Sequence, residues 1–293
     1  MNIDLRAASS FMATHARLLD RRRLQVLLGE ADAAGAFAAL DGYRNPDGGY
    51  GSGLEPDLRA PESQPVAAMH ALEVLAEHAV VTPRAAELCD WLEVHTFSDG
   101  GLPFALPVSD PSGCAPFWAQ ADPTTSSLQI TSQVAANAHR VARHDPAVAS
   151  HPWLARATEY CLDEIRKIDT APHAYELLFS LWFLDAAADS TPVARALLEQ
   201  LGRFLPADGS VPVAGGSEDE MLRPLDIAPH ADRPVRALFT SEVIEADLER
   251  LAALQQPDGG WVVEYGSFSP IAALEWRGYA TVRAVGILRT NEP

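Results

Sequence analysis

The sequence predicts an all-α fold: a double-layered α/α barrel, or toroid, of about five to six helical hairpins in one domain over residues 1–293. Three observations carry this. An Asp-Gly turn recurs at Asp47, Asp99, Asp208 and Asp258, spaced by roughly 50 residues or twice that. A helical pattern flanks each turn. Prolines at 65, 123, 172 and 270 each stand where the second helix of a pair should open, a position at which the missing N–H costs nothing.

In chain order, Ser9 or Ser10 is expected to cap a first helix reaching about Leu28, with Phe11, Leu18, Leu19 and Val26 on its buried face. Arg21-Arg22-Arg23 reads as that helix's polar face. A helix over Ala31–Leu40 leads into Asn45-Pro46-Asp47-Gly48-Gly49-Tyr50. The Gly- and Pro-rich stretch 50–64 is a loop, and Pro65 opens a helix to about His78. The second pair is Pro83–Val94 and, after Asp99-Gly100-Gly101 and a long loop, Pro123–Arg143. The third is His151–Ile168 and Pro172–Leu184. The fourth is Thr191–Phe204, a loop through the weakened copy at Asp208, and an inner helix starting near Ala231 or Pro234. The last is Ser241–Leu254 and, past Gln255-Gln256-Pro257-Asp258-Gly259-Gly260-Trp261, Ile271–Leu288. First helices carry more charge than second helices, as an outer ring around an inner one would. Val211–Val213 and Trp261–Tyr265 could form short extended pieces.

Composition narrows the partners. The formal charge is -18, from 40 acidic and 22 basic residues, which argues against nucleic acid. Three widely spaced cysteines and no CxxC argue against a disulfide framework or a Cys-rich zinc site. No signal-peptide core or long apolar span is visible, so a cytoplasmic protein without a transmembrane segment is expected. The abundance of Ala, Arg, Pro and Gly suggests a GC-rich genome, such as an actinobacterium's.

Candidate chemistry gathers in two places. The loop 51–64 brings Glu55, Asp57, Arg59 and Glu62 to the segment entering an inner helix. Two carboxylates beside an Arg suit acid/base work, a bound cation, or a salt-bridged clip holding the loop. The last helix carries Glu275, Trp276, Arg277 and Tyr279, with Glu275 and Tyr279 on one face. Glu275 there is either a buried acid or base, or an ion-pair partner. His70, His139 and His173 fall on inner helices, where a satisfied core or rim histidine is the ordinary reading. Tyr175, Phe179, Trp182, Phe183 and Trp276 either line an aromatic cavity or are plain core. No phosphate loop, nucleophile elbow or nucleotide fingerprint occurs.

The run from Glu249 to Trp261 resembles the QW motif of terpenoid cyclases, in which a Gln caps the outer helix and stacks on a Trp beyond a Gly turn. The turns at Asp47 and Asp99 look like weaker copies. The whole chain is similar to one domain of the terpenoid cyclase/protein prenyltransferase superfamily of α/α toroids, in a squalene-cyclase-like arrangement. That resemblance implies an apolar, isoprenoid-type ligand in a central cavity and acid-initiated cyclisation, an isomerase reaction. Asp122 of Asp122-Pro123-Thr124-Thr125 matches the DxDD position, where this sequence keeps one carboxylate. Glu55, Asp57 and Glu275 are the alternative acids or bases. Arg59 and Arg277 would hold an anionic end, and Trp276, Tyr279, His70 and Trp182 would line the ligand. Mg2+ is implied if the substrate is a diphosphate. The prenyltransferase zinc set is not matched, although Cys161 and His173 share a repeat, and no metal ligand is assigned. Two other readings stay open: a carbohydrate-active α/α-barrel hydrolase, lyase or epimerase using Glu55, Asp57 and Glu275, and a binding domain with a degraded active site.

Overall fold

Three of the four turns close by one hydrogen-bond scheme. In the computed structural model, which describes residues 3–292, the N–H groups of Asn45, Phe97 and Gln256 donate to the carbonyls of Gly49, Gly101 and Gly260 at 2.8–2.9 Å. The first glycine donates back to the same three residues. Each Asp then accepts from the second glycine: Gly49 and Gly101 at 3.0 Å, Gly260 at 3.1 Å. The first glycine holds φ between +93° and +96°, which only glycine adopts readily. The fourth copy keeps the Asp208 cap on Ser210 and a positive φ at Gly209, without the second glycine.

The chain is all-α. Its helices are α1 (Leu5–His15), α2 (Leu18–Leu27), α3 (Ala34–Leu40), α4 (Pro65–Glu77), α5 (Pro83–Val94), α6 (Pro116–Ala119), α7 (Leu128–Ala142), α8 (Pro146–Ala149), α9 (Pro152–Arg166), α10 (Ala174–Ala187), α11 (Val193–Gly202), α12 (Pro224–Ile227), α13 (Ser241–Ala253) and α14 (Pro270–Thr290). Among the described residues the one sheet is a two-stranded antiparallel ribbon, β1 (Val211–Pro212) with β2 (Met221–Leu222). No helix of these residues is long and apolar enough to cross a membrane.

Several expected boundaries move. The first helix breaks at Ala16-Arg17, both extended, giving α1 and α2. Its N-cap is Asp4, which accepts from Ala7 N–H, rather than Ser9 or Ser10. Pro65 and Pro270 open α4 and α14 as predicted. Pro123 and Pro172 do not open helices: α7 starts at Leu128 behind the N-cap Ser127, and α10 at Ala174 behind His173. The inner helix expected from Ala231 or Pro234 is replaced by the single turn α12 and a 3-10 stretch over Pro234–Leu238. The extended piece at Val211 is β1, whereas Trp261–Tyr265 is no strand.

The chain forms two compact units. The central unit is Leu40–Leu201. Its α7 packs between α4 and α10, and α5, α8 and α9 lie outside them. The burial follows that layering. α4 buries ten residues on all its faces, Pro65 through Leu72 with Val74 and Leu75, while α9 buries one stripe including Trp153, Tyr160 and Ile165.

The terminal unit combines residues 1–39 with 202–293. Its α14 packs against α1, α2 and α13, and Phe11, Met12, Leu24, Trp261, Val282 and Val285 share one core. Gln255 ties the ends of this unit together. Its Oε1 accepts from Asp4 N–H at 2.8 Å, and its Nε2 donates to Asp4 O at 2.9 Å and Gly259 O at 3.0 Å. Trp261 Nε1 donates to Leu251 O at 2.8 Å. The basic run is not a uniform polar face. Arg23 is 4% exposed and, with Arg17, flanks the fully buried Asp20, because an unpaired buried carboxylate would cost several kcal/mol.

Candidate functional site

The loop 51–64 is a folded plug rather than an open rim. Ser52 N–H donates to Ala60 O, Leu58 N–H to Glu55 O, and Ala115 N–H to Asp57 O. Gln64 is 1% exposed and clamps Leu106, accepting from its N–H at 2.8 Å and donating to its carbonyl at 3.1 Å. Glu55 and Asp57 are both 4% exposed, and Arg59 alone of the three points to solvent. Glu55 and Asp57 therefore do not flank an open polar cleft, as the carbohydrate reading needs.

Glu55 meets His70 instead. His70 Nε2 lies 2.9 Å from Glu55 Oε2, and its Nδ1 lies 3.5 Å from Glu73 Oε2, one turn along α4. A carboxylate near each ring nitrogen favours the ring carrying a proton on both, the charged form. Burial opposes that charge, but the hydrogen bonds and charges of Glu55 and Glu73 outweigh it, so the pKa is raised above the ordinary 6.5. The sign of the pH effect follows. A raised folded-state pKa stabilises fully below the unfolded value, and the stabilisation is lost as pH rises through the folded one. Melting temperature measured from pH 6 to 9 should therefore fall more steeply in the wild type than in His70→Gln, with the gap closing upward. A pH-independent gap would exclude a charged His70.

The other histidines have different settings. His139 is half-buried beside Thr158 at 2.9 Å and Phe183, and desolvation of its ring with Arg143 nearby pushes its pKa down to about 4, so it is neutral. His173 is exposed and caps α10.

Asp122 is exposed in a turn, not at a helix start. It accepts from Thr124 N–H and Oγ1 and from Thr125 Oγ1. Those bonds, led by the Thr124 hydroxyl, lower its pKa. An acid that protonates an alkene must stay protonated through burial, and Asp122 has the opposite setting.

The α14 residues lie in the terminal unit. Arg277 is committed to the last turn: its Nη2 donates to Asp258 Oδ1 at 2.7 Å, its Nε to Trp261 O at 3.4 Å, and its guanidinium stacks on Phe11. It fixes the turn and does not serve as an anion holder. Trp276 and Tyr279 are buried edge to face with centroids 5.4 Å apart. Tyr265 meets Trp276 on one side, and Arg23 lies over Tyr279 on the other. Glu275 is half-buried.

The aromatic residues of α10 divide by face. Phe183 is fully buried. Tyr175, Phe179 and Trp182 form a ladder along the other face, with centroids 6.1 and 5.4 Å apart, and all three remain half-exposed. Arg140 of α7 lies over Trp182 at 5.3 Å and donates to Asn137 Oδ1. The helix is apolar on nearly every side, a pattern normally covered all round. Glu176 beside the ladder is raised above the usual carboxylate range, chiefly by burial.

Sequence reasoning missed the Glu55–His70–Glu73 cluster, although the His70/Glu73 spacing of one turn on an apolar helix was its visible signal. The three cysteines are buried and unbridged. Among the described residues, no group of three His, Cys, Asp or Glu side chains is placed to hold a metal ion.

No protein-family model matches this chain, and no curated protein matches it. Twenty-three solved chains resemble it. One is a crystal structure of a protein from Actinoplanes, similar over 97% of both chains with a TM-score of 0.57 at 16% identity. That likeness is one of fold.

Proposed function

We propose that this chain is a terpenoid-cyclase-like α/α-toroid protein that binds an apolar, isoprenoid-type ligand along the aromatic face of α10. The observation that carries the reading is the half-exposed ladder Tyr175–Phe179–Trp182 on a helix with almost no polar side. Covering those rings with polyene removes apolar surface from water at about 25 cal/mol per Å2, and the ring faces favour unsaturated or cationic ligands. The repeated turn, with its Gln255 and Trp261 bonds, supports the family resemblance. Binding without cyclisation is the better reading, because Asp122 is exposed and ionised while Glu55 is spent on His70.

The test is a titration with farnesol followed by tryptophan fluorescence. Binding should saturate, and Phe179→Ala should weaken it about tenfold, the equivalent of roughly 1.4 kcal/mol. Asp122→Asn should leave the affinity unchanged. Failure of farnesol to bind, or equal affinity in Phe179→Ala, would sink the proposal. Turnover abolished by Asp122→Asn would restore the cyclase.

A further inference from the structure

α14 changes character along its length. Its second half is covered: Val282, Val285, Ile287 and Leu288 are buried in the core shared with α1, α2 and α13. Its first half buries one side, through Ala272, Trp276 and Tyr279. Another side carries Ile271, 59% exposed, and Leu274, 38% exposed. Three residues apart, these two are neighbours on the helix surface. Phe268, 44% exposed, stands just before the N-cap Ser269. The outward side of a helix on a folded domain is ordinarily polar, and large apolar side chains grouped in water mark a docking face.

The charge around this face chooses its partner. No Lys or Arg occurs between Arg250 and Arg277, or between Arg203 and Arg223. The arginines that bound the α14 approach are committed: Arg277 to Asp258, and Arg250 to Asp247 and Glu264. The loop between β1 and β2 lies beside the segment leading into α14, with Ser217 Cβ 3.9 Å from the position that a Cβ on Gly266 would take. That loop presents Glu218 and Asp219, both exposed. Glu275, half-buried, follows Ile271 by one helical turn. An apolar face with acidic neighbours, on a chain of net charge -18, repels a second copy of itself and an anionic lipid surface alike. It attracts a cationic partner.

We propose that the first half of α14 docks a basic amphipathic helix of a partner protein. The apolar stripe of that helix covers Phe268, Ile271 and Leu274, and its flanking lysines or arginines meet Glu218 and Asp219. Long basic side chains suit this arrangement, because their stems lie on apolar surface while the charged ends reach the acids. The face is built from residues other than the α10 ladder, and the proposal does not depend on that reading.

The probe is a fluorescein-labelled peptide of leucine and lysine, about five helical turns long, with its leucines on one face; binding is followed by anisotropy. It should bind the whole protein saturably in the micromolar range. A scrambled peptide of the same composition should bind at least about tenfold more weakly, which separates a docking face from bulk charge attraction. Ile271→Ser combined with Leu274→Ser should weaken binding about tenfold while leaving the melting temperature nearly unchanged, since both side chains are already in water. Phe117→Ser, at an equally exposed site in the central unit, should leave affinity unchanged. Glu218→Gln with Asp219→Asn should weaken binding about threefold and flatten its salt dependence; asparagine tolerates the positive φ of residue 219. Equal binding of the scrambled peptide, or undiminished affinity in the Ile271/Leu274 variant, would overturn the proposal. So would a dimer seen by light scattering, or binding to phosphatidylglycerol vesicles, that the same two serines abolish.

Discussion

Gly259→Ala should destabilise the protein by about 4 kcal/mol or more, near the upper end for single substitutions. Two costs add. The residue sits at φ +95°, which an alanine adopts only under strain. Its Cβ would also lie 2.2 Å from the carbonyl carbon and oxygen of Ala7 and 2.7 Å from the Ala7 Cβ. Because the obstacle is the backbone of α1, no side chain can swing aside. The helix must lift, taking with it the paired Asp4–Gln255 bonds and the packing of Phe11 near Gly260 and Trp261. Gly29→Ala separates the two costs. Gly29 has φ +75° with nothing within 4 Å of its Cβ, so it carries the strain alone, about 1 kcal/mol. Urea unfolding of both variants decides the matter. If Gly259→Ala is no worse than Gly29→Ala, α1 does not dock on this turn.

His70→Leu should cost about 3–5 kcal/mol, as breaking a buried ion pair does. The size of the leucine is tolerable, but the charge left behind is not. Glu55 is 4% exposed and faces the vacated ring position from 2.9 Å, with Glu73 on the other side. Adding Glu55→Gln to His70→Leu should recover part of the loss, since it removes one uncompensated charge while keeping the shape. A double-mutant cycle measured by urea unfolding checks this. Additive effects in the cycle, or a His70→Leu loss below about 1 kcal/mol, would show that the cluster is not a charged one.

The hairpin repeat was legible because its punctuation is backbone chemistry. An Asp two residues before a second glycine makes one kind of turn wherever it occurs, and the three full copies close by the same bonds. Helix Pro83–Val94 falls where the pattern puts it, and Ser241–Ala253 ends one residue short. Proline was a weaker guide. It fits the first helical position, but it fits extended loops as well, and at Pro123 and Pro172 the caps Ser127 and His173 downstream set the start. The break between α1 and α2 carries no glycine or proline, so nothing local announces it.

The acids were harder to place. Periodicity put His70 on a buried helix and spacing put Glu55 in the preceding loop, but their meeting depends on the path of residues 51–64. That path is set by distant carbonyls, such as those of Leu106 and Gly113. Arg277 was visible as a cation near aromatic residues. Its commitment to Asp258 required knowing that α14 returns alongside the turn it follows.

The layout of the two units has a consequence for synthesis. The central unit is one uninterrupted stretch, Leu40–Leu201, whereas the terminal unit needs both Asp4 and Gln255. On a ribosome the central unit can therefore fold to completion while α1 and α2 have no partner for their apolar faces. Phe11 and Met12 wait exposed until Trp261 and α14 emerge. During that interval the nascent chain presents a sticky amphipathic leader, and holding it harmless is a demand that the finished protein no longer displays.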